Sequence, residues 1–170
     1  MKIQIFGTKK WEEEYLREKL DANSPGNELV FIDGILNKDT VPDDTSAEIL
    51  CVFVDSTVNK EVMDKFPNLK AVVTRSTGYD HIDLAYAKEK GIVVSTVPSY
   101  GENTVAEFAF ALILALARKV YQSVDIFRET GKYSFEGLIG FDLKGKTLGV
   151  VGTGRIGRHV IKMAKGFDMN

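Results

Sequence analysis

The stretch that decides the fold is LGVVGTGRIG, residues 148–157. A strand predicted at 147–151 leads into glycines with the spacing G-x-G-x-x-G, namely Gly152, Gly154 and Gly157. In a phosphate-binding turn the first glycine permits a tight turn, the second admits a pyrophosphate, and the third lets the following helix pack closely. That helix has an apolar face made by Ile156, Val160, Met163 and Ala164. This context favours a dinucleotide site over a purely structural turn.

The acidic residue that binds the adenosine ribose in such a site is not identified. It would end the next strand, about 20 residues after the turn. That position is near or beyond Asn170, the last residue. Asp168 falls in the predicted helix-to-strand connection, where we expect a solvated carboxylate. The choice between NAD and NADP therefore stays open.

The first hundred residues alternate between β-rich and helix-compatible segments. Strands are predicted at 2–6, 28–32, 49–54, 70–75 and 91–96, and helices at 10–20, 59–65 and 83–90. Short apolar runs separated by helices indicate a parallel sheet covered on both faces. The pattern therefore predicts an α/β fold with right-handed crossovers.

The pattern changes near Tyr100. The loop VPSYGENT (97–104) leads into a long helix predicted from about Asn103, its N-cap, to Thr130. A glycine-rich loop at 131–146 then precedes the strand at 147–151. We therefore predict a first domain at 1–100 and a second at 101–170 that has only begun.

Composition and charge exclude several classes of partner. The net charge of these 170 residues is −2, with basic and acidic residues interleaved, which argues against nucleic acid. The longest apolar run, 108–117, is too short to cross a bilayer. Without a signal-peptide pattern, we expect a cytoplasmic protein. The single cysteine, Cys51, is expected to be small and buried, and no metal site is predicted.

A second informative stretch, RSTGYDHIDL (75–84), follows the predicted strand at 70–75. A Ser-Thr-Gly turn at the carboxyl end of a parallel strand presents backbone N–H groups that suit a small anion such as a carboxylate. Turns of this composition are also ordinary connectors. The residues alone leave both interpretations open.

Three segments together resemble the D-isomer-specific 2-hydroxyacid dehydrogenases. They are RSTGYDHIDL (75–84), VPSYGENTVAEFAF (97–110) and FEGLIGFDLKGKTLGVVGTGRIG (135–157), in this order. Tyr100 and the segment YSFEGLIGF (133–141) are closest to the D-lactate dehydrogenase branch. The resemblance implies a flavodoxin-like parallel-sheet substrate domain followed by the beginning of a Rossmann NAD-binding domain. It also implies NAD-dependent interconversion of D-lactate and pyruvate, and a homodimer as the complete protein.

The resemblance also implies roles for individual residues. The substrate carboxylate would bind the backbone amides of Thr77 and Gly78, with the Tyr100 hydroxyl as another contact. The nicotinamide end of NAD would lie near Thr104 and Val105. The pyrophosphate would be held by Gly152, Thr153, Gly154, Arg155, Ile156 and Gly157. Tyr100 could instead brace the hinge, and Val105 could belong to the core.

No catalytic residue is predicted in this chain. The family uses a histidine as acid and base, a glutamate that tunes it and an arginine that polarises the carbonyl, all from later motifs. His81 is expected to be a surface or packing residue, and His159 lies on the phosphate helix. The leading hypothesis is therefore an N-terminal half that is inactive alone. The alternatives are a bulkier 2-hydroxy acid as substrate, or a naturally short, non-enzymatic module that binds a 2-keto acid or pairs subunits.

Overall fold

The structure, a computed structural model, describes residues 1–170 as two compact units. Unit 1 comprises Met1–Tyr100 and unit 2 comprises Gly101–Asn170. No helix in either unit has the length and apolar character that crossing a membrane requires.

Unit 1 is built on one parallel sheet with the strand order β2-β1-β3-β4-β5. The strands are β1 (Lys2–Phe6), β2 (Glu28–Ile32), β3 (Ile49–Val52), β4 (Ala71–Thr74) and β5 (Val93–Ser95). The predicted α/β class and parallel sheet are confirmed. The last three strands are shorter than predicted, because the paired residues are only Ile49–Val52, Ala71–Thr74 and Val93–Ser95.

Three helices connect these strands: α1 (Lys10–Asn23), α2 (Lys60–Met63) and α3 (Leu84–Glu89). The N-cap carboxamide of Asn59 accepts the Val62 N–H at 3.1 Å, and the N-cap carboxylate of Asp83 accepts the Tyr86 N–H at 3.0 Å. Such caps satisfy amides that have no partner within the helix. The core of the unit includes Leu50, Val52, Val58, Val62 and Val72, all fully buried.

Unit 2 consists of α4 (Glu102–Ala117), α5 (Val120–Thr130) and α6 (Arg155–Gly166). The single long helix predicted from Asn103 to Thr130 is wrong, because Lys119 has a φ of 56° and breaks it. The N-cap of α4 is Gly101, so Asn103 lies in the first turn rather than capping it. A small core contains Phe110, Ala117, Leu143 and Ala164, whereas Phe108, Leu112 and Leu116 of α4 are exposed.

The strand predicted at 147–151 is not formed, so every strand of the structure belongs to unit 1. The segment pairs only at its beginning. The Leu148 N–H donates to the Asn170 carbonyl at 2.8 Å, and the Asn170 N–H donates to the Lys146 carbonyl at 2.8 Å. These bonds have the parallel pattern, but Val151 beyond them is fully exposed.

Candidate functional site

The first candidate site is the turn that follows β4, at the carboxyl edge of the sheet. Thr77 and Gly78 lie together here, as predicted, and the turn is braced from two sides. The Thr77 hydroxyl donates to the Val97 carbonyl at 2.8 Å, and the Val97 N–H donates to the Ser76 carbonyl at 3.0 Å. The Ser76 hydroxyl donates to the Gly78 carbonyl at 2.7 Å. Its shape is therefore held by three hydrogen bonds.

The backbone N–H groups of Thr77 and Gly78 donate to no protein acceptor. Gly78 is exposed, and a Cβ added there would meet only the Asp80 carboxylate, at 3.9 Å. Two unpaired amides on an exposed, braced turn can donate hydrogen bonds to a small anion without rearrangement of the backbone. The sequence left open whether this turn binds an anion or only connects two elements, and unpaired amides are the groups that anion binding requires.

Arg75, immediately before this turn, is used by the protein itself. Both terminal nitrogens of its guanidinium donate to the Phe6 carbonyl at 3.1 Å, and Nη2 also donates to the Gly7 carbonyl at 3.1 Å. The group lies over the Phe53 ring, 5.7 Å from its centroid. Arg75 therefore ties the end of β1 to the start of the turn after β4, a contribution that the sequence analysis missed.

Two residues near this edge have a raised or lowered pKa. Burial raises the pKa of the Cys51 thiol, although Arg75 opposes this; Cys51 is half-buried rather than buried as expected. Burial also lowers the pKa of His81, with the Asp80 carboxylate acting in the opposite direction. Both directions favour the neutral form, so neither side chain is an activated group.

The other predicted contacts lie on exposed surface of their own units. The Tyr100 side chain is 64% exposed, at the end of unit 1. Thr104 and Val105 lie in the first turn of α4, and Val105 is 50% exposed rather than part of the core of unit 2. Their assignments to substrate and nicotinamide stay predictions.

The second candidate site is the glycine turn before α6. Gly152 has a φ of 92°, a left-handed conformation that favours glycine. A Cβ at Gly157 would lie 2.1 Å from the Gly152 carbonyl oxygen, so the helix could not begin so close to the turn with any other residue. A Cβ at Gly154 would meet nothing within 4 Å, which leaves open space at the second glycine.

The start of α6 leaves two of its amides without an acceptor in the helix. Gly154 is the N-cap and provides no side chain, and the Arg158 N–H makes the first helical bond, to the Gly154 carbonyl at 3.0 Å. The N–H groups of Ile156 and Gly157 therefore have no partner within the helix. The Arg155 side chain pairs with Glu102 at 3.2 Å. Open space beside unpaired helix amides is the geometry that binds a phosphate group.

Three further residues that sequence reasoning missed lie beneath the turn after β4. Thr74 and Ser76 are buried, and the His81 ring is hydrogen-bonded to Thr74. Alternation of Thr74, Arg75 and Ser76 on the two sides of the chain was legible in the sequence. The return of His81 to the same place was not, because it depends on the loop at 79–83.

The comparison with protein families shows which proteins share these features. The model of the D-isomer specific 2-hydroxyacid dehydrogenase, catalytic domain, matches residues 5–162. A 2-hydroxyacid dehydrogenase homolog of Haemophilus influenzae is 39% identical over 172 residues, covering 100% of this chain and 51% of the relative. The D-lactate dehydrogenase of Escherichia coli K12 is 34% identical over 171 residues, covering 99% of this chain and 51% of the relative.

A solved structure agrees with these relatives. The D-lactate dehydrogenase from Aquifex aeolicus, complexed with NAD and lactic acid, is 30% identical with a TM-score of 0.82. The match covers 98% of this chain and 49% of that one. This chain therefore spans about half the length of the proteins it resembles.

Proposed function

The chain belongs to the D-isomer specific 2-hydroxyacid dehydrogenase family, and on that premise we propose that it is the N-terminal half of an NAD-dependent enzyme interconverting D-lactate and pyruvate. The observation that carries the proposal is the braced turn after β4, with the unpaired amides of Thr77 and Gly78. A 2-hydroxy acid and its 2-keto acid share a carboxylate, the group that such amides recognise.

The substrate carboxylate binds the N–H groups of Thr77 and Gly78, and the exposed hydroxyl of Tyr100 offers a third contact. The hydroxyl bonds of Thr77 and Ser76 keep the amides in place before the substrate arrives. Preorganisation of this kind reduces the ordering cost of binding. Because Arg75 is tied to β1, its charge attracts the anion without being its direct ligand.

The glycine turn fits NAD. A side chain at Gly154 would fill the space that a pyrophosphate needs, whereas Thr153, Arg155, Ile156 and Gly157 supply backbone contacts around it. Gly152 and Gly157 bring the turn and the helix together, and Thr104 and Val105 are assigned to the nicotinamide end. When bound, the cofactor supplies the acceptor or donor of a hydride.

No acid–base residue is assigned within residues 1–170. The reaction needs a group that exchanges a proton with the substrate oxygen near neutral pH. His81 is hydrogen-bonded below the turn and favours its neutral form, and His159 lies half-buried on α6. We assign this role to the part of the enzyme that corresponds to the other half of the relatives' length. The cytoplasmic location and the homodimeric state are likewise proposals.

The first test measures the molecular mass of the protein in its host and its activity with NADH and pyruvate. An antibody raised against this chain should detect a protein of roughly twice 18.9 kDa, and that protein should oxidise NADH with pyruvate and form D-lactate. Faster turnover of a branched 2-keto acid would favour a bulkier substrate, which the Haemophilus influenzae relative's name leaves open. A host protein of 18.9 kDa that binds pyruvate without oxidising NADH would favour the non-enzymatic module.

A matched pair of glycine variants tests the cofactor site in the complete enzyme. Gly154→Ala should weaken NADH binding about tenfold or more, because its methyl group occupies the space assigned to the pyrophosphate. Gly149→Ala is the control, since a Cβ there also meets nothing within 4 Å but lies outside the turn. Fluorescence titration with NADH measures both. Equal affinity of the two variants would contradict the assignment.

A further inference from the structure

A chain of hydrogen bonds runs from the ring of His81 to the turn that presents Thr77 and Gly78. His81 Nε2 lies 3.1 Å from Thr74 Oγ1, and Thr74 Oγ1 lies 2.6 Å from Ser76 Oγ. Ser76 Oγ lies 2.7 Å from the Gly78 carbonyl oxygen. All four residues belong to unit 1.

The number of available hydrogens fixes the donor-to-acceptor direction of this series of hydrogen bonds. The Gly78 carbonyl can only accept, so the single hydroxyl hydrogen of Ser76 is donated to it. Ser76 must then accept from Thr74, whose only hydroxyl hydrogen is thereby used. Thr74 has no hydrogen left for the ring, and His81 must donate from Nε2.

The buried position of the two hydroxyls makes this chain necessary. Thr74 is fully buried and Ser76 is 2% exposed, so water does not replace a lost partner without rearrangement. A buried hydroxyl without a partner is costly, and hydrogen bonds in series reinforce one another. Loss of the His81 donor therefore alters the hydrogen bonds as far as the Gly78 carbonyl, because water does not take its place.

The backbone fixes His81 at the start of the chain. Its carbonyl accepts the Val58 N–H at 2.8 Å, and the Val58 carbonyl accepts the Asp83 N–H at 3.0 Å. These bonds form the parallel bridge between Val58 and Ile82, next to the core. The backbone on both sides of the His81 ring is thus anchored to a segment that lies before β4.

We propose that His81 is a positioning residue, whose Nε2–H orders Thr74, Ser76 and the Gly78 carbonyl so that the amides of Thr77 and Gly78 face a substrate carboxylate. The assignment of that carboxylate rests on the proposed function. The direction of the chain does not, because it follows from the hydrogen count alone. Burial of His81 lowers its pKa and so favours the neutral ring. In that form the hydrogen count places the hydrogen on Nε2 and leaves Nδ1 without one.

The first experiment determines the tautomer. Nitrogen-15 NMR of the complete enzyme above pH 7 should show His81 with a protonated Nε2 and a bare Nδ1. His159 serves as an internal reference, because it takes no part in this series of hydrogen bonds. A neutral His81 with its hydrogen on Nδ1 would overturn the proposed direction, whatever the protein binds.

The second experiment measures binding of pyruvate through the amide signals of Thr77 and Gly78. His81→Leu removes the donor and should weaken the binding of pyruvate about three- to tenfold, the range expected for one neutral hydrogen bond. His81→Gln places an amide donor at similar reach and should bind nearly as well as the wild type. Thr74→Val interrupts the chain, and the double variant with His81→Leu should lose no more than either single variant.

The outcomes separate the two proposals. Amide signals that do not respond to pyruvate in the wild type would overturn the carboxylate site, while the tautomer still decides the direction of the chain. A response in the wild type together with unchanged affinity in His81→Leu would overturn the positioning role. Equal weakening in His81→Leu and His81→Gln would do the same, because the role requires a donor rather than bulk.

Discussion

Substitution of Gly157 by alanine tests whether close packing of α6 on the glycine turn is a structural requirement. Gly157 occupies the first turn of α6, and an added Cβ would lie 2.1 Å from the oxygen and 3.1 Å from the carbon of the Gly152 carbonyl. Both atoms are backbone, so relief requires movement of the turn or of the helix. Gly152 already has a φ of 92°, which restricts how the turn can adjust.

The magnitude follows from two opposing effects. In an unobstructed helix position, alanine is more favourable than glycine by about 1 kcal/mol. Overpacking costs typically about 1–3 kcal/mol, and a 2.1 Å approach to backbone belongs at the upper end of that range. We therefore expect Gly157→Ala to lower the free energy of unfolding of unit 2 by about 2 kcal/mol.

Hydrogen exchange measured by mass spectrometry follows each unit separately. Amides of α6 should exchange roughly thirtyfold faster in Gly157→Ala, which corresponds to about 2 kcal/mol, while β1 and β3 provide the reference within unit 1. Gly166→Ala is the matched control at the other end of the same helix, where a Cβ meets nothing within 4 Å. Slower exchange of α6 in both variants would refute the packing argument, because it would show only helix propensity.

Two further predictions concern unit 1. Arg75→Met should lower the free energy of unfolding by about 2–3 kcal/mol in urea titrations, because it removes charged donors from the Phe6 and Gly7 carbonyls; a large loss of pyruvate affinity without loss of stability would contradict this role. The pKa of Asp44 is held well below its ordinary 3.8, first by the Lys2 ammonium and then by Ser46. The ionised Asp44 carboxylate therefore stabilises the folded state fully above pH 3.8, and this stabilisation is lost as the pH falls below that value. The difference in urea midpoint between wild type and Asp44→Asn should therefore disappear under acid conditions, and a constant difference from pH 7 to pH 2 would be inconsistent with the ion pair.

The fold of unit 1 was predictable because each signal is local. Apolar runs of four to six residues mark the strands, and Asn59 and Asp83 mark helix starts through their own side chains. The break between α4 and α5 was not predictable in this way. Lys119 carries no glycine signal, yet it adopts a left-handed conformation. The apolar pattern continues across it, so composition alone favoured one helix.

The candidate sites divide along the same line. Glycine spacing predicts the turn before α6 because Gly152 and Gly157 are required by backbone geometry that the sequence displays directly. The support beneath Thr77 and Gly78 depends on His81 returning through a loop, and on buried hydroxyls whose partners lie several residues away. Sequence spacing does not determine such contacts, so this part of the site required the structure.

The segment at 147–151 shows why a strand cannot be predicted from one segment alone. Its apolar residues suit a parallel strand, but a strand exists only through hydrogen bonds to a neighbour. Here the Leu148 and Asn170 amides make the first bonds of a parallel ladder, and nothing in residues 1–170 extends it to Val151. An apolar pattern therefore predicts only that a segment is able to pair, whereas the strand itself depends on a neighbouring segment that continues the ladder.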